Sequence, residues 1–254
     1  MEQVSIEQTK SGLAKVTLDR SEKMNAVTQQ MSGELLQTLQ KLKKDSRVKC
    51  LVITGAGHRA FCSGGDLTEF HGELNEQEAY AKLSLMKEVL YELFTFPMPT
   101  VALLNGQARG GGCEIATACD FRYGRCDAQF GFVQASLGII PGWGGGELLY
   151  RRIRAEAASQ WLMDASMYGV EEALRIGWLH KIIETEDLQD EGIFSSFLNK
   201  SNEQLRWLKK QYLSKLSIEE LLEDMELEVE NCARLWESSE HKEALKRFKE
   251  SRKK

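Results

Sequence analysis

The sequence predicts an α/β protein built on a mostly parallel sheet, and three observations point there. Continuous apolar runs such as VKCLVITG and PTVALLNG read as strands covered on both faces. Stretches of helical periodicity separate them, giving the order strand, helix, strand, loop, helix, strand. Two buried strands each lead through a glycine-rich loop into a helix, at AFCSGGDL (60–67) and ARGGGCE (108–114).

Taken in order, VSIEQT and LAKVTLD alternate as two strands joined by a turn at KSG. From Thr28 to Lys44, Met31, Leu35, Leu36, Leu39 and Leu42 recur at helical spacing, with Thr28 as the cap. VKCLVITG is a strand, AGHRAFCSGGDL a loop, and about Glu76 to Leu93 a helix. PTVALLNG is the next buried strand, the glycine run opens a short helix to Ala118, and DFRYG is a strand. From about residue 145 the chain is helical almost throughout, interrupted by LHKII. SIEELLEDMELEVENCARLWES and EHKEALKRFKES are amphipathic helices whose apolar stripes need a surface to pack on.

The chain has 254 residues, 42% hydrophobic and 28% charged, enough for a full core in a soluble protein. A net charge of −5 argues against a nucleic-acid or anionic-membrane binder. The exception is LKRFKESRKK, with Lys246, Arg247, Lys249, Arg252, Lys253 and Lys254. It reads either as a solvated helix end complementing its own dipole or as a phosphate contact. A basic start followed by an apolar run is absent, so no secretory signal is expected. No stretch approaches ~18 uninterrupted apolar residues, so no membrane span is expected either. The six cysteines (50, 62, 113, 119, 126, 232) form no C-x-x-C pair and read as reduced, buried thiols of a cytoplasmic protein. Cys113 beside Glu114 invites a nucleophile reading, but no histidine lies near it in sequence.

The two glycine loops carry the chemistry. A helix start leaves backbone N–H groups without partners and carries partial positive charge. Glycine there lets a ligand atom reach those amides. Two such starts side by side would give convergent donors for an oxyanion, with Asp66 capping or bracing the first helix. The alternative is a pair of ordinary turns. A phosphate loop is disfavoured, because GGDL and GGGCE lack the Lys-Ser/Thr of a P-loop.

NGQARGGGCEIATACDFR, AFCSGGDL and SLGIIPGWGGG together resemble the crotonase (enoyl-CoA hydratase/isomerase) superfamily. Weaker likeness runs from VTLDRSEKMNAV to about residue 183. The resemblance implies a spiral of stacked ββα units over about residues 1–190, holding an acyl-CoA site, and a helical C-terminal region over 191–254 used in trimer formation. Commonly two trimers associate. It implies a thioester enolate held between the amides of Gly65 and Gly111. It also implies an acyl-CoA contact lined by Ala60, Ser63, Gly64, Asp66, Leu67, Thr68 and Gly110. No metal or redox cofactor is implied; coenzyme A arrives with the substrate. Thr68 stands where relatives often have lysine, and Ser21 where proline is common, so phosphate contacts are expected elsewhere, including the basic C-terminal helix.

In the family's hydratases two carboxylates share acid and base duties. The first aligns with Glu114 and the second, twenty residues on, is Gln134 here. An amide orients a water but neither takes nor gives a proton near neutral pH. Losing a positioned acid or base typically costs ~10²–10⁴ in rate. The segment resembles the decarboxylases of branched malonyl-CoA esters, which also lack the second glutamate. Such a decarboxylation creates the enolate directly, and a second carboxylate ~4 Å from the substrate's own would repel it by ~4 kcal/mol at an effective dielectric of ~20. Glu114, its pKa raised by burial, is then the expected proton donor. Enoyl-CoA hydration or isomerisation is the rival reaction, and a non-catalytic thioester or RNA binder a third reading. Glu147 either interacts with the start of its own helix or substitutes for the missing glutamate. Trp143 either walls the acyl pocket or only packs; Arg109 either meets a substrate carboxylate or faces solvent. His58 reads as a surface loop residue.

Overall fold

An antiparallel hairpin begins the chain: β1 (Val4–Gln8) pairs with β2 (Leu13–Leu18), Ile6 opposite Val16. The computed structural model describes residues 2–70 and 74–251. After a 3-10 turn at Ser21–Lys23 comes α1 (Gln29–Lys43), whose cap Thr28 accepts the Met31 amide at 3.0 Å through Oγ1. β3 (Cys50–Gly55), β4 (Ala60–Cys62) and α2 (Leu67–Phe70) follow, then α3 (Glu76–Phe94), opened by a capping box between Asn75 and Glu78. β5 (Thr100–Leu104), β6 (Gln107–Arg109) and α4 (Gly111–Ala118) repeat the unit. β7 (Phe121–Arg125), β8 (Gln129–Gly131) and a 3-10 turn at Gln134–Leu137 repeat it again. The remainder is α5 (Gly145–Arg152), α6 (Ala155–Asp164), β9 (Tyr168–Gly169), α7 (Val170–Arg175), β10 (Lys181–Ile183), α8 (Ser195–Leu198), α9 (Asn202–Leu213), α10 (Ile218–Trp236) and α11 (Ser239–Ser251).

Each repeat gives one strand to each of two sheets. The larger has the order β1-β2-β3-β5-β7-β10 and is parallel from β2 onward. The smaller has the order β4-β6-β8-β9, parallel except at β8–β9. This is the α/β architecture of ββα units that the sequence led us to expect.

The apolar run of β3 has a physical reason. Its alternate residues Leu51 and Ile53 face the main core, while Cys50 and Val52 face a second, smaller core under Ile183 and Phe194. A strand buried on both faces has no polar side to alternate with. Leu205 of α9 and Leu221, Met225 and Val229 of α10 belong to the main core, so the amphipathic C-terminal helices pack where the core offers them a surface.

Three details differ from the sequence reading. The stretch read as a loop at 56–67 contains β4, and β6, β8 and β9 were likewise not expected; strands of two or three residues are too short to show a period of two. The helix after Gly65 is a single turn that starts at Leu67. Cys126 is only half-buried, unlike the other five cysteines, all of which are free and buried.

α9 is fastened to the sheet by charge. Lys209 Nζ lies 2.5 and 2.6 Å from the Asp120 carboxylate oxygens, and Arg152 reaches the same group at 3.5 Å. Asp120 also accepts the Thr100 amide at 3.0 Å, tying the pair to the first residue of β5. All three charged side chains are nearly inaccessible, so removing Lys209 leaves the buried Asp120 carboxylate with only its longer contact to Arg152. Lys209→Ala is expected to lose about 3–5 kcal/mol in urea unfolding. Lys209→Met combined with Asp120→Asn should recover much of that loss.

Candidate active site

β4 and β6 are parallel neighbours, with Ala60 opposite Gln107 and Cys62 opposite Ala108, so their carboxyl ends stop side by side. Beyond those ends lie Ser63–Asp66 and Gly110–Gly111. Gly64 (φ +94°) and Gly110 (φ +51°) adopt left-handed backbone that favours glycine. The loops touch: a Cβ on Gly64 would stand 3.3 Å from the Gly111 nitrogen, and one on Gly112 would stand 2.1 Å from the Cys62 carbonyl oxygen. Among the described residues neither the Gly65 nor the Gly111 amide has an acceptor. Gly65 is held by its neighbours: Val27 N donates to Gly64 O at 2.8 Å, and Asp66 N to Val27 O at 2.7 Å.

Asp66 Oδ1 accepts the amide of Thr68 at 2.9 Å and its hydroxyl at 2.6 Å, capping α2, while Oδ2 pairs with Arg20 at 2.9 Å. Burial pushes the Asp66 carboxyl up, but the Thr68 bonds and Arg20 pull it below its ordinary value. Asn25 braces the base of the loop, donating to Ala56 O at 3.0 Å and Ala60 O at 2.8 Å.

One helical turn beyond Gly111, Glu114 is 2% exposed. Oε1 accepts Gln134 Nε2 at 2.8 Å; Oε2 accepts the amides of Trp143 at 2.9 Å and Gly145 at 3.0 Å. Burial raises the pKa and these donors oppose it, leaving Glu114 at about 7. Gln134 keeps a buried Oε1 with no partner among the described residues. The Trp143 ring lies on Gly111, where a Cβ would come within 2.2 Å of it, and tilts against Phe70 at 6.0 Å between centroids.

These groups border one cavity of about 880 Å³, the size of a small-ligand site. Ser63, Gly64, Gly65, Asp66, Leu67 and Thr68 line it from the first loop; Gly110, Gly111 and Glu114 line it from the second. Gln134 and Trp143 complete the set. Ala60 lies outside it, buried in β4. Glu147 also lies outside, paired with Arg151 at 3.3 Å on the third residue of α5, so it faces its own helix and not Glu114's cavity. His58 is exposed, and Arg109 is exposed at the rim.

Sequence reasoning missed much of the rest of the lining, including Leu83 on α3, Ile139 and Ile140, and Cys232 and Trp236 on α10. Their signal was apolar periodicity, which any core residue shares. Arg20, Lys23, Arg59 and Arg247 add cations to the rim. Of the basic tail, the Lys249 side chain and residues 252–254 lie outside the described residues.

The Glu114 environment has a stability consequence. Its folded pKa lies above the ordinary 4.5, so the folded state holds a proton that the unfolded state releases. Native stability should therefore fall as pH rises from about 4.5 to about 7. Glu114→Gln removes this cost, so its melting temperature relative to wild type should climb over that interval, by up to about 3 kcal/mol in equivalent stability. Thermal melts at a series of pH values measure the gap.

Comparison with known proteins gives the family. The family model described as enoyl-CoA hydratase/isomerase matches residues 8–254. The crotonyl-CoA hydratase of Syntrophomonas wolfei is 32% identical over 248 residues, 95% of this chain and 93% of that one. The short-chain-enoyl-CoA hydratase of Clostridium acetobutylicum is 35% identical over 178 residues, 70% and 68% of the two chains. The ethylmalonyl-CoA decarboxylase of Gallus gallus is 36% identical over 184 residues, 72% of this chain and 61% of that one. The crystal structure of an enoyl-CoA hydratase from Bacillus halodurans superposes with a TM-score of 0.88 at 26% identity, covering 96% and 99% of the two chains. With a matching family model over nearly its whole length and the fold to go with it, the chain belongs to the crotonase, or enoyl-CoA hydratase/isomerase, family of enzymes.

Proposed function

We propose that this enzyme decarboxylates a branched malonyl-CoA, holding the thioester enolate between the Gly65 and Gly111 amides. The observation that carries the reading is the partner of Glu114. It is the amide of Gln134, at 2.8 Å, where a two-carboxylate hydratase would need a second acid–base group. At this pair one member can carry a proton, not two, which suits a reaction that needs a single proton delivery. The similarity to ethylmalonyl-CoA decarboxylase of Gallus gallus supports the same reading.

The steps balance without an added base or redox partner. The bond between C2 and the free carboxylate breaks, carbon dioxide leaves, and the electron pair moves into the thioester as an enolate. Its oxygen is met by the two unpaired amides, donors fixed before the charge develops. Glu114, half-protonated near neutral pH, gives its proton to C2 and regains one from water. Ile139, Ile140, Leu83 and Trp143 supply an apolar wall in which a substrate carboxylate is poorly solvated. Coenzyme A enters as part of the substrate, its phosphates facing the rim cations Arg59, Lys23 and Arg247. The enzyme acts in the cytoplasm as a homotrimer or dimer of trimers. The exposed apolar side chains Trp207, Leu208 and Leu227 of α9 and α10 support such an assembly.

Hydration or isomerisation of an enoyl-CoA is the second reading, favoured by the hydratase relatives and the presence of Glu114. Mass spectrometry of CoA products after incubation with ethylmalonyl-, methylmalonyl- and crotonyl-CoA separates the two. Loss of carbon dioxide is expected; gain of water on crotonyl-CoA alone would put hydration first. Binding without turnover of any thioester would sink both. Glu114→Gln should slow the favoured reaction by about 10²–10⁴-fold, and Gln134→Glu should depress decarboxylation while raising any hydratase activity.

A further inference from the structure

The first turn of α5 holds two buried carboxyls, and the reaction above uses only one. Its three glycines each admit a different group. A Cβ on Gly144 would meet Met225 at 2.4 Å, one on Gly145 would meet Glu114 at 2.3 Å, and one on Gly146 would meet Glu228 Oε2 at 2.7 Å. Glu114, from α4, takes the amides of Trp143 and Gly145. Glu228, from α10, takes the amide of Glu147 at 2.8 Å. The two acids thus divide the donors of one helix start between them. Glu228 is 7% exposed and does not border the cavity, and its Oε1 has no partner among the described residues.

We propose that Glu228 is a positioning residue for Glu114, the two carboxyls gripping opposite sides of the first turn of α5 as one pair that accommodates a single negative charge.

A helix start carries roughly half a positive charge, which offsets one carboxylate and not two. The surrounding charged groups do not make up the difference. On α5, Arg151 is bonded to Glu147 and to Asp224 of α10. On α3, Lys87 is paired with Glu226 of α10, and Glu76 with Arg234. Cys232 on α10 and His241 on α11 face the carbonyl oxygens of Ile140 and Leu137. Two buried carboxylates in one such place cannot both ionise near neutral pH. Burial, and then the charge of Glu114, push Glu228 well above the usual carboxylate range. Glu228 therefore keeps its proton while still holding the Glu147 amide, and the remaining donors stay aimed at Glu114. The three glycines of GWGGG follow from this arrangement, since side chains at 145 and 146 would displace the two acids.

The inference rests on Glu114 as the proton-carrying group, and its test uses no substrate, so it stands or falls separately from the thioester reading. Carboxyl-labelled glutamate is followed by carbon NMR in the free protein from about pH 4 to about pH 9. In wild type the Glu114 signal should titrate near neutral pH while Glu228 stays protonated through that step. In Glu114→Gln the Glu228 midpoint should fall by about one pH unit or more. Glu228→Gln still accepts the Glu147 amide and should leave the Glu114 midpoint within about half a unit. Glu228→Leu frees that amide to favour the Glu114 anion and should lower the midpoint by more than this. A Glu228 that ionises at or below the Glu114 midpoint in wild type, or whose own midpoint is indifferent to Glu114→Gln, would overturn the shared charge. A Glu114 midpoint equal in the Gln and Leu variants would overturn the positioning role. Should the Leu variant fail to fold, Glu228→Met, which likewise offers the Glu147 amide no acceptor, takes its place.

Discussion

The start of α4 lies against the end of β4 with no room for a side chain, and the site is built outward from that contact. A Cβ on Gly112 would stand 2.1 Å from the Cys62 carbonyl oxygen, so the helix start can come this close to the strand only through glycine. That approach brings Gly111 beside Gly64 and leaves two amides, Gly65 and Gly111, at neighbouring strand ends without acceptors among the described residues. It also fixes Glu114, one turn into the same helix. Parallel pairing of β4 with β6 makes the approach geometrically possible, because it stops both chains at one edge. This is the general place for ligands in parallel α/β sheets, outside the carboxyl ends of strands.

Glu114 sits where two effects oppose each other and burial wins. Full burial favours its neutral form, and hydrogen bonds from Trp143, Gly145 and Gln134 favour its anion. The resulting pKa of about 7 makes it able to give or take a proton in the range where an acid–base catalyst is effective. Helices far along the chain maintain that balance. α10 packs Met225 against Gly144, Glu228 against Gly146 and Cys232 against Gly142, so the loop that feeds amides to Glu114 is moulded by residues more than eighty positions downstream. α11 reaches the other side, where a bond between His241 and the Leu137 carbonyl at 2.6 Å secures the turn that carries Gln134.

Much of this was legible in the chain itself. β3 and β5 announced themselves because residues facing both cores must all be apolar, and α1 because Thr28 and the Leu spacing mark both its start and its buried face. Glu114 and Gln134 were placed by family likeness, and the structure brings them to 2.8 Å. The short strands β4, β6, β8 and β9 left no periodic signal, since their stability comes from pairing with one another. Ala60 was assigned to the ligand site by family likeness; it lies buried in β4, all three residues of which are buried, and does not line the cavity. Glu147 looked like a candidate acid in sequence; its position on α5 points it to Arg151.

Length, periodicity and the glycine motifs by themselves determined the fold class, the order of the long elements and the two glycine loops; the pairing of Glu114 with Gln134 came from family likeness. These are local properties, written in spacing and side-chain type. Only the tertiary structure decided that Glu114 borders the cavity, that Glu228 is buried at the same helix start without bordering it, and which amides each accepts. Ionisation depends on burial and on charges brought together across the fold, and no run of neighbouring residues encodes the distance from Glu114 to a helix that begins at Ile218.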